Sequence, residues 1–166
     1  MIRSLLLASA LLSGCTPKRV PAPAEGPDRS SGVSGDAIRL ERTACFGRCP
    51  VYHVSVTPAG AVTYEGRANV RHIGTATADI SPDSVAALLR EMEQAGYFTF
   101  SDRYAASEPT CRRYITDSPS VISSATFRGR TKRIEHDYGC GGVPGALTVL
   151  EQRIDEVLGS DQWTGR

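Results

Sequence analysis

The 166-residue sequence has no uninterrupted apolar run of 18 or more residues, so it offers no membrane-spanning helix. It has no charge excess either: 19 Lys and Arg against 18 Asp and Glu leave a formal charge of +1, too little for a surface that gathers nucleic acid. Gly-x-Ser-x-Gly, His-Glu-x-x-His, a phosphate loop and Cys-x-x-Cys are all missing, so none of the short motifs of acyl transfer, zinc hydrolysis, nucleotide binding or dithiol exchange is present. Large apolar side chains are nearly missing from residues 16–36, and this local gap explains a hydrophobic share of only 40%. A single core therefore has to come from about residue 37 onward.

What the sequence does have is five cysteines, an odd number. Residues 1–15, MIRSLLLASALLSGC, place Arg3, an apolar stretch from Leu5 to Leu12 and the small Ser13 and Gly14 ahead of Cys15, the layout of a secretory signal peptide over residues 1–14. Leu12-Ser13-Gly14-Cys15 resembles the bacterial lipobox. The resemblance implies that the Cys15 thiol is acylated, that the bond before it is cut and that Cys15 becomes the first mature residue. Two or three acyl chains, at about 0.8 kcal/mol per buried methylene, then anchor the protein to a membrane without spanning it. Removing Arg3 takes the basic count from 19 to 18, level with the 18 acids. Thr16 after the cysteine is similar to the sorting signal of proteobacterial outer-membrane lipoproteins, which implies an outer-membrane protein facing the periplasm. Residues 15–36 follow as a lipidated cysteine and a Pro/Gly/Ser-rich tether, four of its residues proline, holding the rest roughly 25 Å from the lipid.

From residue 37 the periodicity predicts one globular α+β domain over 37–163. Residues 38–43, 51–57, 61–66 and 72–80 alternate as strands, the second and third joined by a Pro58-Ala59-Gly60 turn. Ser81-Pro82 caps a helix carrying Val85, Leu88, Leu89 and Met92 on one stripe and ending at Gly96, with Tyr97, Phe98 and Phe100 closing the core behind it. Residues 103–118 read as a loop, 119–127 and 131–138 as a second hairpin, and 145–158 as a second helix with Leu147, Leu150, Ile154 and Leu158 inward. The expected architecture is about six mainly antiparallel strands with both helices on one face, and a tail from Gly159 with Trp163 that docks or frays.

Once Cys15 is assigned to lipid, Cys45, Cys49, Cys111 and Cys140 form an even set in an oxidising compartment, and two disulfides are expected. Of the three possible pairings, Cys45–Cys49 and Cys111–Cys140 are favoured, because Gly47 lets a short loop close on itself and the second hairpin returns the chain from 111 to 140. Cys45-Phe46-Gly47-x-Cys49-Pro50-x-Tyr52, followed by a strand, a Gly turn and a Tyr64-Glu65-Gly66 strand, resembles a family of bacterial lipoproteins and secreted proteins known only as a domain of unknown function. The likeness runs from about Ile38 to Trp163 and includes Tyr104 and Asp117-x-Pro119. It implies a fold and an envelope location and no activity; Cys111 and Cys140 stand outside the common pattern.

Cys45-x-x-x-Cys49-Pro50 is also similar to the motif of copper-delivery proteins of the thioredoxin fold, where His53, His72 or His136 would supply a third ligand. Those thiols precede a helix, whereas Pro50 here leads into a strand. His136, Cys140 and Cys111 give a weaker zinc pattern. The basic cluster Arg128, Arg130, Lys132 and Arg133 sits at a hairpin tip beside Glu135 and Asp137, a solvated turn. Arg48, Tyr52, Tyr104 and Asp117 are the candidate pocket residues. No catalytic residue, metal or cofactor is assigned. The expected function is a lipid-anchored binding or structural module of the envelope, with the membrane and an envelope protein or glycan as partners and no nucleic acid; the alternative is a thiol-redox or copper-handling protein using Cys45 and Cys49.

Overall fold

The computed structural model describes residues 37–165, and the expected signal peptide, Cys15 and the expected tether lie outside them. The chain opens with β1 (Ile38–Arg42), β2 (Val51–Val56), β3 (Ala61–Ala68) and β4 (Gly74–Asp79), then α1 (Pro82–Gln94) and a 3-10 turn at Tyr97–Thr99. There follow β5 (Arg103–Tyr104), β6 (Arg113–Tyr114), β7 (Ser120–Phe127), β8 (Arg130–Asp137), β9 (Cys140–Gly141), α2 (Gly145–Leu158) and α3 (Asp161–Thr164). Seven strands make one sheet in the order β4-β3-β2-β1-β7-β8-β5, antiparallel except for β5 against β8, while β6 and β9 form a separate pair. The fold is thus α+β with a mostly antiparallel sheet.

Three expectations are corrected among the described residues. The sheet has seven strands, where about six were expected; the helices number three, where two were expected; and residues 103–118, read as a loop, supply β5 and β6. The physical reason is length: a two-residue strand and a four-residue helix are shorter than the repeat that reveals them. The tail docks. Trp163 stacks on Tyr64 with ring centroids 4.8 Å apart, and its carbonyl accepts from His72 N at 2.9 Å.

Alternation decides which sheet face is buried, because residues two apart share a face. The register stacks three rows across the sheet. The first runs through Val62, Val56, Ile38 and Ala125, and the second through Tyr64, Val54, Leu40, Ser123 and Ile134. These rows pack with Val85, Leu88 and Met92 of α1 and Leu147, Leu150 and Ile154 of α2 into one core. Ser81 fixes the start of α1 by accepting from Ser84 N at 3.0 Å, with Pro82 as the first helical residue. Tyr97 drops from the end of α1 into the core and meets Ser123 Oγ at 2.9 Å, so its buried hydroxyl is satisfied. Gly66 marks a close approach, since a Cβ there would lie 2.0 Å from the His72 carbonyl oxygen.

The other face of the sheet is polar and carries Arg39, His53, Thr63, Glu65 and Ser124. Burial lowers the His53 pKa below its ordinary 6.5; Glu65, 3.4 Å away, opposes the shift, and Arg39 and Arg67 reinforce it. The folded state therefore binds this proton less well than the unfolded chain. The contribution of His53 is fully present above about pH 6.5 and is lost as pH falls through the lower folded value. Urea unfolding at about pH 7.5 and pH 5 should show His53→Gln losing less stability on acidification than the parent chain. Equal losses would show that His53 titrates as it does when unfolded.

Candidate functional site

The third row is where the apolar pattern breaks. Register puts Tyr52 opposite Arg42, Arg42 opposite Val121, and Val121 opposite His136, all on the buried face. A guanidinium, a phenol and an imidazole therefore point toward α2 at one end of the sheet. On α2 the inward stripe of Leu147, Leu150, Ile154 and Leu158 also contains Glu151, and Asp155 lies one turn further along. Burying these groups is unfavourable unless each finds a partner.

Each does. Arg42 Nε donates to Asp155 Oδ2 at 2.8 Å and to Tyr52 Oη at 3.1 Å, and Nη2 reaches the same carboxylate at 2.6 Å. Arg42 Nη1 donates to Tyr138 Oη at 3.2 Å and Nη2 to the Glu151 carbonyl at 3.4 Å. Tyr52 Oη donates to Asp155 Oδ1 at 2.7 Å. Beneath this layer Glu151, 0% exposed, accepts from Tyr138 Oη at 3.1 Å and faces His136 Nδ1 with both oxygens at 3.0 Å. Burial on its own would lower the Arg42 pKa, but Asp155, Tyr52 and Tyr138 outweigh it and the net shift is upward. The Tyr52 phenol is pushed up by burial and by Asp155, against the opposing pull of Arg42. Arg42 stays cationic and Tyr52 stays protonated across the physiological range.

Over this network opens a cavity of about 640 Å³, within the size range of small-molecule sites. Its floor is Arg42, Tyr52, Tyr138 and Asp155. Cys49 and Pro50 form one wall and Pro119, Ser120 and Val121 another, while Ser160, just before α3, and Asp161 and Thr164 of α3 complete the lining. The residues before β4 hold that last wall, since Arg71 N donates to the Thr164 carbonyl at 3.3 Å and His72 N to that of Trp163. The Cys45–Cys49 disulfide, Cα atoms 5.7 Å apart, shapes the loop leading into Pro50. Cys111 and Cys140 form the second disulfide, Cα atoms 5.1 Å apart, away from the cavity lining.

Of the four residues singled out from sequence, the structure sets Tyr52 in the cavity floor and the other three elsewhere. Arg48 is exposed on the Cys45–Cys49 loop. Tyr104 is buried beside His136 and accepts from Ser101 N at 3.1 Å. Asp117 is an exposed turn residue at φ 68° whose carbonyl accepts from Phe46 N at 3.0 Å. Arg42, Glu151 and Asp155 were not foreseen. The three histidines are dispersed: His53 on the polar face with Glu65, His72 beside the Thr75 carbonyl at 3.2 Å, and His136 under the cavity with Glu151. Among the described residues no group of three or more His, Cys, Asp and Glu side chains is placed to hold a metal ion, and no helix is long and apolar enough to cross a membrane.

Residues 36–158 match the family described as "Domain of unknown function (DUF6438)", which spans the whole of the main sheet together with α1 and α2. No curated protein matches the chain.

Proposed function

The chain belongs to the DUF6438 family of unknown function, and from that premise we propose that it is a lipid-anchored module of the bacterial envelope, facing the periplasm, that binds a small ligand in the cavity over Arg42, Tyr52, Tyr138 and Asp155. The observation that carries the binding reading is the cavity itself: an opening of about 640 Å³ with a floor whose charged groups are already paired and held in place. Such a floor costs little to organise when a ligand arrives. The envelope location is supported by the lipobox-like Leu12-Ser13-Gly14-Cys15 and by two disulfides, which persist in oxidising compartments.

Two measurements test the two halves. Full-length protein should label with radioactive palmitate and fractionate with membranes, and Cys15→Ala should do neither; a membrane-bound, unlabelled parent chain would refute the anchor. For the cavity, Thr164→Trp puts a large ring on a residue that lines it. The low-molecular-mass fraction of an envelope extract is added to purified protein and examined by native mass spectrometry. A bound mass on the parent chain that Thr164→Trp lacks supports the reading, and identical spectra overturn it.

A further inference from the structure

We infer that the free edge of β4 pairs with β4 of a second copy of this chain, antiparallel about a two-fold axis through Thr77, so that two sheets become one. The first observation is the edge itself. The seven-stranded sheet ends at β5 on one side and at β4 on the other. β5 is two residues long and carries Arg103, a short and charged edge of the kind that discourages pairing. β4 is six residues long, Gly74-Thr75-Ala76-Thr77-Ala78-Asp79, in unbroken register with β3 and without Lys, Pro or a bulge. Its one protective feature is an acid at the last position. The turn before β3 fixes which backbone groups face out. Ile80 N donates to the Gly60 carbonyl at 2.9 Å, so Ile80, Ala78 and Ala76 bond toward β3, and Thr75, Thr77 and Asp79 turn their N–H and C=O groups to the open side. Among the described residues those groups have one partner, His72 Nε2 at 3.2 Å from the Thr75 carbonyl.

The second observation is that this edge complements itself. With the axis through Thr77, each outward residue meets an outward residue: Thr77 faces Thr77, and Thr75 faces Asp79, each pair exchanging two N–H···O bonds. The Thr75 carbonyl keeps a second lone pair beside the one His72 uses. No two acids meet, because Asp79 always lies opposite a threonine. On the polar face Thr63 pairs with Thr77, so the junction becomes a row of four threonines, two from each copy. On the other face Ala76 meets Ala78, small half-buried side chains that let the backbones approach. Continued one residue past the strand, the register brings Ile73, 62% exposed, beside Ser81 and Ile80 of the second copy. A foreign peptide would gain the main-chain bonds alone; the matched side chains single out a second copy. One strand pair covers less than the roughly 1,200 Å² of a stable interface, so the association is weak, and confinement to one membrane by the proposed anchor strengthens it.

Cysteine cross-linking of the full-length chain in the cell envelope tests both the pairing and its register. Residues facing each other in a bonded antiparallel pair have Cα atoms about 5.5 Å apart, inside the disulfide range of about 4.4–6.8 Å. Under mild oxidation Thr77→Cys should therefore give a disulfide-linked dimer on a non-reducing gel. Thr75→Cys and Asp79→Cys, each four residues out of register with itself, should stay monomeric when expressed singly and link to one another when expressed together. Thr63→Cys, exposed one strand in from the edge, reports random collision. As an independent measure, Thr77→Lys sets like charges against each other and should weaken the dimer of the purified chain about fivefold or more in sedimentation velocity, with urea unfolding of the monomer unchanged. The inference is overturned if Thr77→Cys forms no dimer, if Thr63→Cys links as readily, or if Thr77→Lys leaves the dimer as strong. Linkage of Thr77→Cys to a different envelope protein only would overturn it too and assign the edge to a foreign strand.

Discussion

Asp155→Ala is expected to destabilise the fold by about 3–5 kcal/mol, the cost of leaving a buried guanidinium without its counter-charge. Arg42 and Asp155 are 15% and 19% exposed, so water reaches them only from the cavity side and replaces the lost partner less fully than at a surface pair. The Tyr52 hydroxyl, which donates to the same carboxylate at 2.7 Å, loses its acceptor at the same moment and keeps only the bond it accepts from Arg42 Nε. Urea unfolding gives the number, and a loss below about 1 kcal/mol would show that the pair behaves as a solvated one. A second variant asks why the network exists. Arg42→Met, Tyr52→Phe and Asp155→Leu together remove the ion pair and the phenol bonded to it, leaving Tyr138 bonded to Glu151, and well-packed apolar replacements of buried ion pairs are often neutral or stabilising by about 1–4 kcal/mol. A triple variant as stable as the parent chain, yet unable to bind the cavity ligand, would show that these groups serve recognition and that folding does not require them.

The same residues show how far the sequence could be read. The hairpin of β2 and β3 and the helix α1 are legible because apolar residues recur at the period of each element and Pro58-Ala59-Gly60, Ser81 and Pro82 mark their ends. The site was legible only at Tyr52, through its motif. Its other members carried a signal that was available: Arg42 continues the buried parity of Ile38 and Leu40, His136 that of Ile134, and Glu151 follows Leu147 by four on an otherwise apolar stripe. A charged residue at a core position is the mark of a buried network, and three such breaks in separate elements suggest that they meet. That β5 pairs parallel with β8, or that α3 folds back onto the turn before β4, could not be read, since both depend on partners far away in sequence. Likewise Tyr104 and Asp117 belong to the surroundings of the family motif for structural reasons, one packing beneath His136 and the other anchoring the Phe46 loop.

Deleting the larger disulfide is the other change with a large expected effect. Cys111 and Cys140 are separated by 29 residues, and closing a loop of that length restricts the unfolded chain by about 3.7 kcal/mol, against about 2 kcal/mol for Cys45 and Cys49, separated by 4. Locally little else secures the loop's ends: β6 and β9 pair over two residues each, and Tyr114 and Ile115 are exposed. Cys111→Ala with Cys140→Ala should therefore lose more stability in urea than Cys45→Ala with Cys49→Ala. The two pairs should separate the other way on function. Cys49 lines the cavity and its carbonyl is held by Asn69 Nδ2 at 3.0 Å, whereas neither Cys111 nor Cys140 is part of the lining. Loss of the small disulfide frees the wall that leads into Pro50, so ligand affinity should fall although the fold is little changed; loss of the large one should weaken the fold and leave the affinity of the molecules still folded intact. If both double variants lost affinity and stability in the same order, cavity and scaffold would be one cooperative unit, and the separation argued from their positions would be wrong.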